Sequence, residues 1–264
     1  MKPAPFAYHR PSTREEVDGL LAELGGDAKL LAGGQSLIPI LNMRLAAPAH
    51  LIDINFLRDE PREPVLDGDA IAFGPLVRQA AAERSALVAE RLPLLREVLG
   101  NVAHPAIRSR GTVVGSIAHA DPAAELPALL VLLEGEARVR GAGGSRSVPA
   151  GELFASHLET TLQAGEWIEE VRLPVQDGRG GAFEEFSRRH GDYALCGVGA
   201  LAGGGEVALT FVGMGSVPLR LTGGIDEAVA RLEPEDDIHA SAEYRMHLAR
   251  QLGERVARRA REAA

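Results

Sequence analysis

The sequence predicts an α+β chain: short β-branched and apolar runs alternate with helical periodicities, two glycine loops each sit between apolar segments, and the last third reads as consecutive strands followed by helices. At 264 residues the chain exceeds the usual single core, so one large or two modest domains are expected. With 45% hydrophobic and 25% charged residues it has the composition of a globular protein, not of a disordered or fibrous one.

Ser12, followed three residues later by Glu15, is a capping-box spacing that opens a helix to about Leu24, and Gly25-Gly26 closes it. Ala28 to Ala32 reads as a strand running into Gly33-Gly34-Gln35-Ser36, then a helical stretch from Leu37 to Leu45. Ala49 to Asn55 is a further strand, and Ala70 to Gly74 another after the Asp67-Gly68 turn. Leu76 to Leu99 has helical spacing broken at Pro93. Asp121-Pro122 supplies a capping aspartate and a first-position proline for a helix that carries Glu125. Glu136 to Val148 reads as a strand, with a helical stretch near Leu153 and a strand from Trp167 to Leu173. Gln176 to Gly181 reads as a linker. Strands follow at Phe183 to Arg189, Cys196 to Leu201 and Glu206 to Met214, and helices at Ile225 to Leu232 and His239 to Ala260.

Several function classes lose support. A formal charge of −9 without a basic face argues against nucleic acid. Apolar runs such as Leu126 to Leu133 are too short to cross a bilayer, and the N-terminus shows no signal-peptide pattern, so a cytoplasmic location is expected. A single cysteine, Cys196, permits no internal disulfide, no all-cysteine zinc site and no cysteine-ligated iron–sulfur cluster. The eight histidines have no H-E-x-x-H spacing, and no metal site is expected.

The glycine loops point to an anion. Glycine lets backbone N–H groups converge into a nest for a pyrophosphate, and Gly33-Gly34 and Gly111 to Ser116 each offer such a turn, the second with Thr112 and Ser116 hydroxyls. Neither is a G-x-G-x-x-G nor a Walker sequence, which removes the usual support for nicotinamide and nucleoside triphosphate.

AGGQSLIP from Ala32 to Pro39 and TVVGSIAHADPAAELPA from Thr112 to Ala128 closely resemble the two FAD loops of the medium subunits of molybdenum hydroxylases. FSRRHGDYALCGVGA, Phe186 to Ala200, is similar to the signature of that family's C-terminal flavoprotein domain. The resemblance spans nearly the whole chain. It implies a vanillyl-alcohol-oxidase (PCMH) type FAD-binding domain of two lobes, 1–56 and 57–176, and a C-terminal sheet-and-helix domain of the CO dehydrogenase flavoprotein type, 182–264. It implies that Leu31, Ala32, Gly33, Gly34, Gln35, Ser36, Leu37 and Ile38 wrap the pyrophosphate. Thr112, Val113, Val114, Gly115 and Ser116 would contact the diphosphate and sugar-alcohol portions. Glu125 would meet the adenosine ribose hydroxyls and Ala103 would line the flavin region, although a bottom-up reading makes Glu125 an exposed helix residue and Ala103 a packing residue. Tyr193 could stack near the ring or be a half-buried core tyrosine.

Two departures stand out. Val114 replaces a common family glycine, and only a β-like backbone is expected to tolerate valine there. Glu184-Glu185 replaces a region where relatives carry a lysine near the isoalloxazine, and a carboxylate there would disfavour a reduced anionic flavin unless Arg188 or Arg189 compensates or the glutamates point away. The resemblance further implies an electron-transfer subunit without its own catalytic residues. Its partners would be a large molybdopterin subunit and a small subunit with two iron–sulfur clusters, in a dimer of heterotrimers. Electrons would pass from a cluster through FAD to an external acceptor such as NAD, a quinone, a carrier protein or oxygen. The alternatives are a stand-alone FAD oxidase or reductase using His119 or Tyr193 as its proton-handling group, and a flavin-less interaction subunit.

Overall fold

A computed structural model describes residues 2–264. Three parallel strands, β1 (Ala7–His9), β2 (Ala28–Leu31) and β3 (His50–Asp53), pair in the order β1-β3-β2. They are linked by α1 (Arg14–Leu24) and α2 (Leu37–Asn42). The capping box of α1 lies one residue later than expected. Thr13 Oγ1 accepts from Glu16 N at 3.2 Å, and the Glu16 carboxylate reaches back to Ser12 N at 2.5 Å. Val17 and Leu21, four apart on α1, pack with Ile52, Ile54, Leu76 and Trp167 in a small core.

A five-stranded antiparallel sheet follows, whose strands cover, from edge to edge, Val65–Asp67, Ala70–Phe73, Trp167–Pro174, Glu136–Gly141 and Gly144–Pro149. Its first hairpin is β4 (Val65–Asp67) with β5 (Ala70–Phe73). The expected single strand from 136 to 148 is a hairpin instead, β6 (Glu136–Gly141) and β7 (Gly144–Pro149), because the chain turns at Ala142-Gly143 and Gly144 takes φ 109°. The helical run after Leu76 is three short helices: α3 (Gln79–Arg84), α4 (Ala86–Arg91) and α5 (Pro93–Asn101). Ser85 caps α4 and Pro93 starts α5 at its first position, so both act as breaks. After α6 (Pro105–Arg108) comes α7 (Val113–His119), a helix capped by Thr112 where a glycine turn was expected.

The next helix, α8 (Glu125–Leu132), begins four residues beyond Asp121. Asp121 Oδ1 accepts from Ala123 N at 2.9 Å, an Asx turn that competes with helix initiation at Pro122. The short α9 (Ala150–Leu153) and the hairpin β8 (Phe154–Ser156) and β9 (Glu159–Thr160) lead into β10 (Trp167–Pro174). The expected linker is not loose. Gln176 is buried, its Oε1 accepts from Leu94 N at 2.7 Å, and the next strand already begins at Gly180.

That strand, β11 (Gly180–Phe186), is the edge of a four-stranded antiparallel sheet in which it pairs with β12 (Cys196–Gly203), β12 with β13 (Glu206–Val212) and β13 with β14 (Leu221–Thr222). After α10 (Ile225–Val229), the chain ends in α11 (Ala242–Glu262), capped by Ser241 and therefore three residues shorter at its start than the sequence suggested. The sheet is covered on both faces. Val198, Ala200 and Ala202 face α11, while Leu201, Phe183 and Val212 join the core of α5 and α8. A Cβ at Gly199 would lie 3.0 Å from Leu132 Cδ2, so glycine there sets how closely α8 lies on the sheet.

Candidate functional site

The first glycine loop leaves the carboxyl end of β2, the end at which open parallel sheets present ligand crevices. Gly34 has φ 72°, a left-handed conformation suited to glycine, and its carbonyl accepts from Ile38 N at 3.0 Å as α2 begins. Leu31 through Leu37 are all half-buried and Ile38 is exposed, so the loop is reachable along its length.

The second loop is laid against the first. A Cβ at Gly33 would stand 2.6 Å from Arg110 O and 2.8 Å from Gly111 Cα, which means the two backbones touch and any side chain at Gly33 would part them. Gly111 in turn covers Gln79. A Cβ there would meet Gln79 Oε1 at 2.7 Å, and that buried oxygen has no hydrogen-bond partner. Gln79 N donates to Gly111 O and Val113 N to Val77 O, fixing the loop as an extra edge beside residues 77–79. Thr112 is buried, and its Oγ1 accepts from Gly115 N at 2.9 Å, leaving its hydroxyl proton to donate.

Val113 and Val114 are buried in the main core, so only their backbone faces the loop side of α7. Val114 is helical, not β-like, and the helix accommodates valine without strain, which removes the sequence-based reason for doubting the loop. Ser116 is half-buried on α7.

Two residues that the motifs do not contain tie the loops together. Asn55 Nδ2 donates to Ala32 O at 2.7 Å and to Asp53 Oδ1 at 2.6 Å. Arg78 donates from Nη2 to Asn55 Oδ1 at 2.5 Å and from Nη1 to Arg110 O. Sequence reading misses both because neither lies in a glycine motif, and their partners are 23 to 32 residues away. The available signal was that Asn55 follows two residues after the end of β3, the strand beside β2, where register pairs Asp53 with Leu31.

Glu125 and Tyr193 gather elsewhere, where α8 meets β11 and the loop after it. Glu125 is buried, not exposed, and its carboxyl is pushed up to about 7, first by burial and then by Asp121. Glu185 is pushed up to about 8 by burial and by Glu125, and its Oε2 is buried without a partner. The pair therefore retains a proton at neutral pH. Glu184 instead points to the opposite face, where Arg255 holds it at 2.6 Å. The two adjacent glutamates thus play unlike parts: one points away and the other is largely neutral. Arg188 does not compensate them, since it bonds His239 at 2.9 Å.

Tyr193 is 65% exposed, contrary to the reading of it as a half-buried core residue. Its hydroxyl end is nevertheless desolvated and lies beside Asp121 and Glu125, which raises it to about 12. Ala103 has φ 43° in a turn half-buried against the main core, so both its packing and its exposed side are available. The following His104 ring packs against Gly191 and lies edge-on to His190 at 6.3 Å, so the 103–104 turn touches the loop that carries Tyr193. Among the described residues there is no group of His, Cys, Asp and Glu that could hold a metal ion, and no helix long and apolar enough to cross a membrane.

Residues 4–176 match the family model described as the FAD-binding domain in molybdopterin dehydrogenase. The chain is 38% identical to the 6-hydroxypseudooxynicotine dehydrogenase complex subunit alpha of Paenarthrobacter nicotinovorans, covering 97% of this chain and 94% of that one. It is 35% identical to the carbon monoxide dehydrogenase medium chain of Hydrogenophaga pseudoflava, covering 97% of each. Among solved structures, it superposes on a chain of quinoline 2-oxidoreductase from Pseudomonas putida 86 with a TM-score of 0.89, at 32% identity over 99% of both chains. This chain therefore shares its α+β fold with the solved relative over nearly the whole of both chains, with the FAD-binding domain at residues 4–176.

Proposed function

The chain belongs to the family of FAD-binding domains of molybdopterin dehydrogenases, and on that premise we propose that it is the electron-transferring FAD subunit of a multi-subunit molybdenum hydroxylase. The observation that carries this reading is the backbone contact at Gly33, which makes the two glycine loops one cradle. The cradle fits a dinucleotide: Leu31 to Ile38 and Thr112 to Ser116 would hold the pyrophosphate and sugar-alcohol portions, while a side chain at Gly33 would part the two loops and one at Gly111 would collide with Gln79. FAD, when bound, supplies the exchange between one-electron and two-electron carriers.

The chain's own residues position and insulate. In this reading Ala103 and Tyr193 would lie beside the flavin and Glu125 at the adenosine ribose hydroxyls. The Glu125–Glu185 carboxyls hold a proton there at neutral pH and present an O–H donor, so a carboxylate's negative charge does not oppose reduction. The division into lobes 1–56 and 57–176 and a C-terminal domain 182–264 is part of this reading, as is a cytoplasmic location.

The expected partners are a large molybdopterin subunit and a small two-cluster iron–sulfur subunit, in a dimer of heterotrimers that hands electrons to an external acceptor. A chain whose one cysteine is buried, with its thiol pushed up to about 12 by burial, is no ligand for such clusters, so they require another polypeptide. The relatives' names carry unlike substrates, carbon monoxide, 6-hydroxypseudooxynicotine and quinoline, while the chain type persists. This supports substrate choice residing on a partner. Co-expression with the neighbouring genes tests the assembly. FAD should accompany this chain, and iron and molybdenum should appear only in the co-purified complex. A chain that purifies alone, with FAD, and oxidises an organic substrate unaided would contradict it.

A further inference from the structure

Arg62, Arg78 and Arg110 converge where the two glycine loops meet. Arg78 bridges Asn55 and Arg110 O, and Arg62 Nη2 donates to Asn55 O at 3.2 Å. Half-buried Arg78 lies close enough to both other guanidinium groups that, after its own desolvation, they depress its pKa. Among the described residues none of the three forms an ion pair, although the chain carries an excess of acidic residues and half of its 28 basic residues are arginines in such pairs. The nearest carboxylate to act on Arg78, Asp53, is already engaged by the Tyr8 hydroxyl and by Asn55. Three like charges brought together without a counterion destabilise the fold unless an anion supplies the balance. A guanidinium has five N–H donors, and Arg78 uses two of them on the protein, so donors remain for a ligand.

We propose that Arg78, with Arg62 and Arg110, supplies the counter-charge for the pyrophosphate of FAD and sets the spacing of the two loops around it. Arg78 is thus a positioning residue as well as an electrostatic one. It reaches the first loop through Asn55 and Ala32, and the second directly through Arg110 O. Backbone N–H nests orient a phosphate but carry only partial charge, and full positive charge is what separates a diphosphate ligand from a neutral one. The inference rests on the FAD reading and extends it: selection for FAD over phosphate-free flavins would be built into lysine-free, arginine-only chemistry at the loop junction.

The test is equilibrium binding of FAD, ADP and riboflavin to the full chain after removal of its flavin, at low and high salt. ADP carries the diphosphate without the flavin, and riboflavin carries the flavin without phosphate. For Arg78→Met, FAD and ADP should weaken about 100-fold, the loss of about two charge-assisted hydrogen bonds, while riboflavin changes less than about 3-fold. Arg78→Lys should retain part of the affinity, and the exposed Arg62→Ala and Arg110→Ala should each cost about 3- to 10-fold for ADP and reduce its salt dependence. The inference is overturned if Arg78→Met weakens riboflavin as much as ADP, or if Arg62→Ala and Arg110→Ala leave ADP binding and its salt dependence unchanged. These two exposed substitutions decide the matter even if Arg78→Met does not fold. A wild-type chain that binds riboflavin tightly and ADP not at all overturns the inference alone. One that binds none of the three overturns the FAD reading with it.

Discussion

Two seams cross this chain, and they are made of opposite materials. Where α1 meets the five-stranded sheet, charge holds the parts together. Arg14 bonds Glu60 and the nearly inaccessible Glu169, both at 2.5 Å, Arg140 bonds Asp18 at 2.7 Å, and Trp167 Nε1 donates to Asp18 at 2.9 Å. The Arg78–Asn55 bridge between the glycine loops belongs to the same polar seam. Where α5 and α8 meet the four-stranded sheet, the material is apolar: Phe183, Leu201, Ala208 and Val212 share one core with Val98, Leu129 and Leu132. Apolar packing stabilises without directional demands, whereas buried charges fix geometry at a desolvation cost. The chain therefore uses its polar seam where a ligand must be held in register, and its apolar seam where two layers need only stay together.

The largest effect should come from the apolar seam. Leu132→Ala removes a fully buried side chain that rests on Gly199, and should cost about 2–5 kcal/mol in urea unfolding. FAD affinity of the folded fraction should stay unchanged; a drop in affinity would show the seams to be coupled. Arg14→Met should cost less, about 2–3 kcal/mol, because Glu169 keeps Arg138 at 3.2 Å while Glu60 loses its partner. It should also weaken FAD, measured by flavin fluorescence, since it loosens the polar seam.

A pH titration probes the acidic exception within the apolar seam. Burial raises Glu125 to about 7 and Glu185 to about 8, above the ordinary carboxylate value of 4.5. A raised folded-state pKa means that the folded chain binds more protons. The stability this gives is complete below about 4.5 and is lost as pH rises through about 7 to 8. Glu185→Gln should flatten the fall in melting temperature over that window. An equal slope in wild type and variant would assign the fall to other groups. Arg255→Ala should have the smallest effect, under about 1 kcal/mol, because its pair with Glu184 lies on the surface.

The parts of the fold legible in the sequence were those with local causes. Alternation and glycine punctuation located β2, β3, β5, β10 and three of the four strands of the last sheet, β11 to β13 but not β14, and Pro93 marked a helix boundary. What escaped had remote causes. The start of α8 moved because Asp121 satisfied a turn instead of a helix. The β6–β7 hairpin was hidden by continuous strand-like composition. At the site, the two loops could be named from glycine spacing and family resemblance, but nothing local reveals that Gly33 abuts Arg110 or that Arg78 spans both loops. Glu125 and Glu185 are 60 positions apart, and only the packing of α8 on the four-stranded sheet makes them one acidic pair.

The most direct test of the account is the cofactor content of the purified chain and of Gly33→Val, read by visible absorption and by identifying what denaturation releases. The wild type should show oxidised-flavin bands and release FAD. The Gly33→Val chain should have native circular dichroism but no flavin, because a side chain there would part the two loops. A colourless wild type that cannot be reconstituted with FAD, or a Gly33→Val chain that holds FAD as tightly as the wild type, would contradict it.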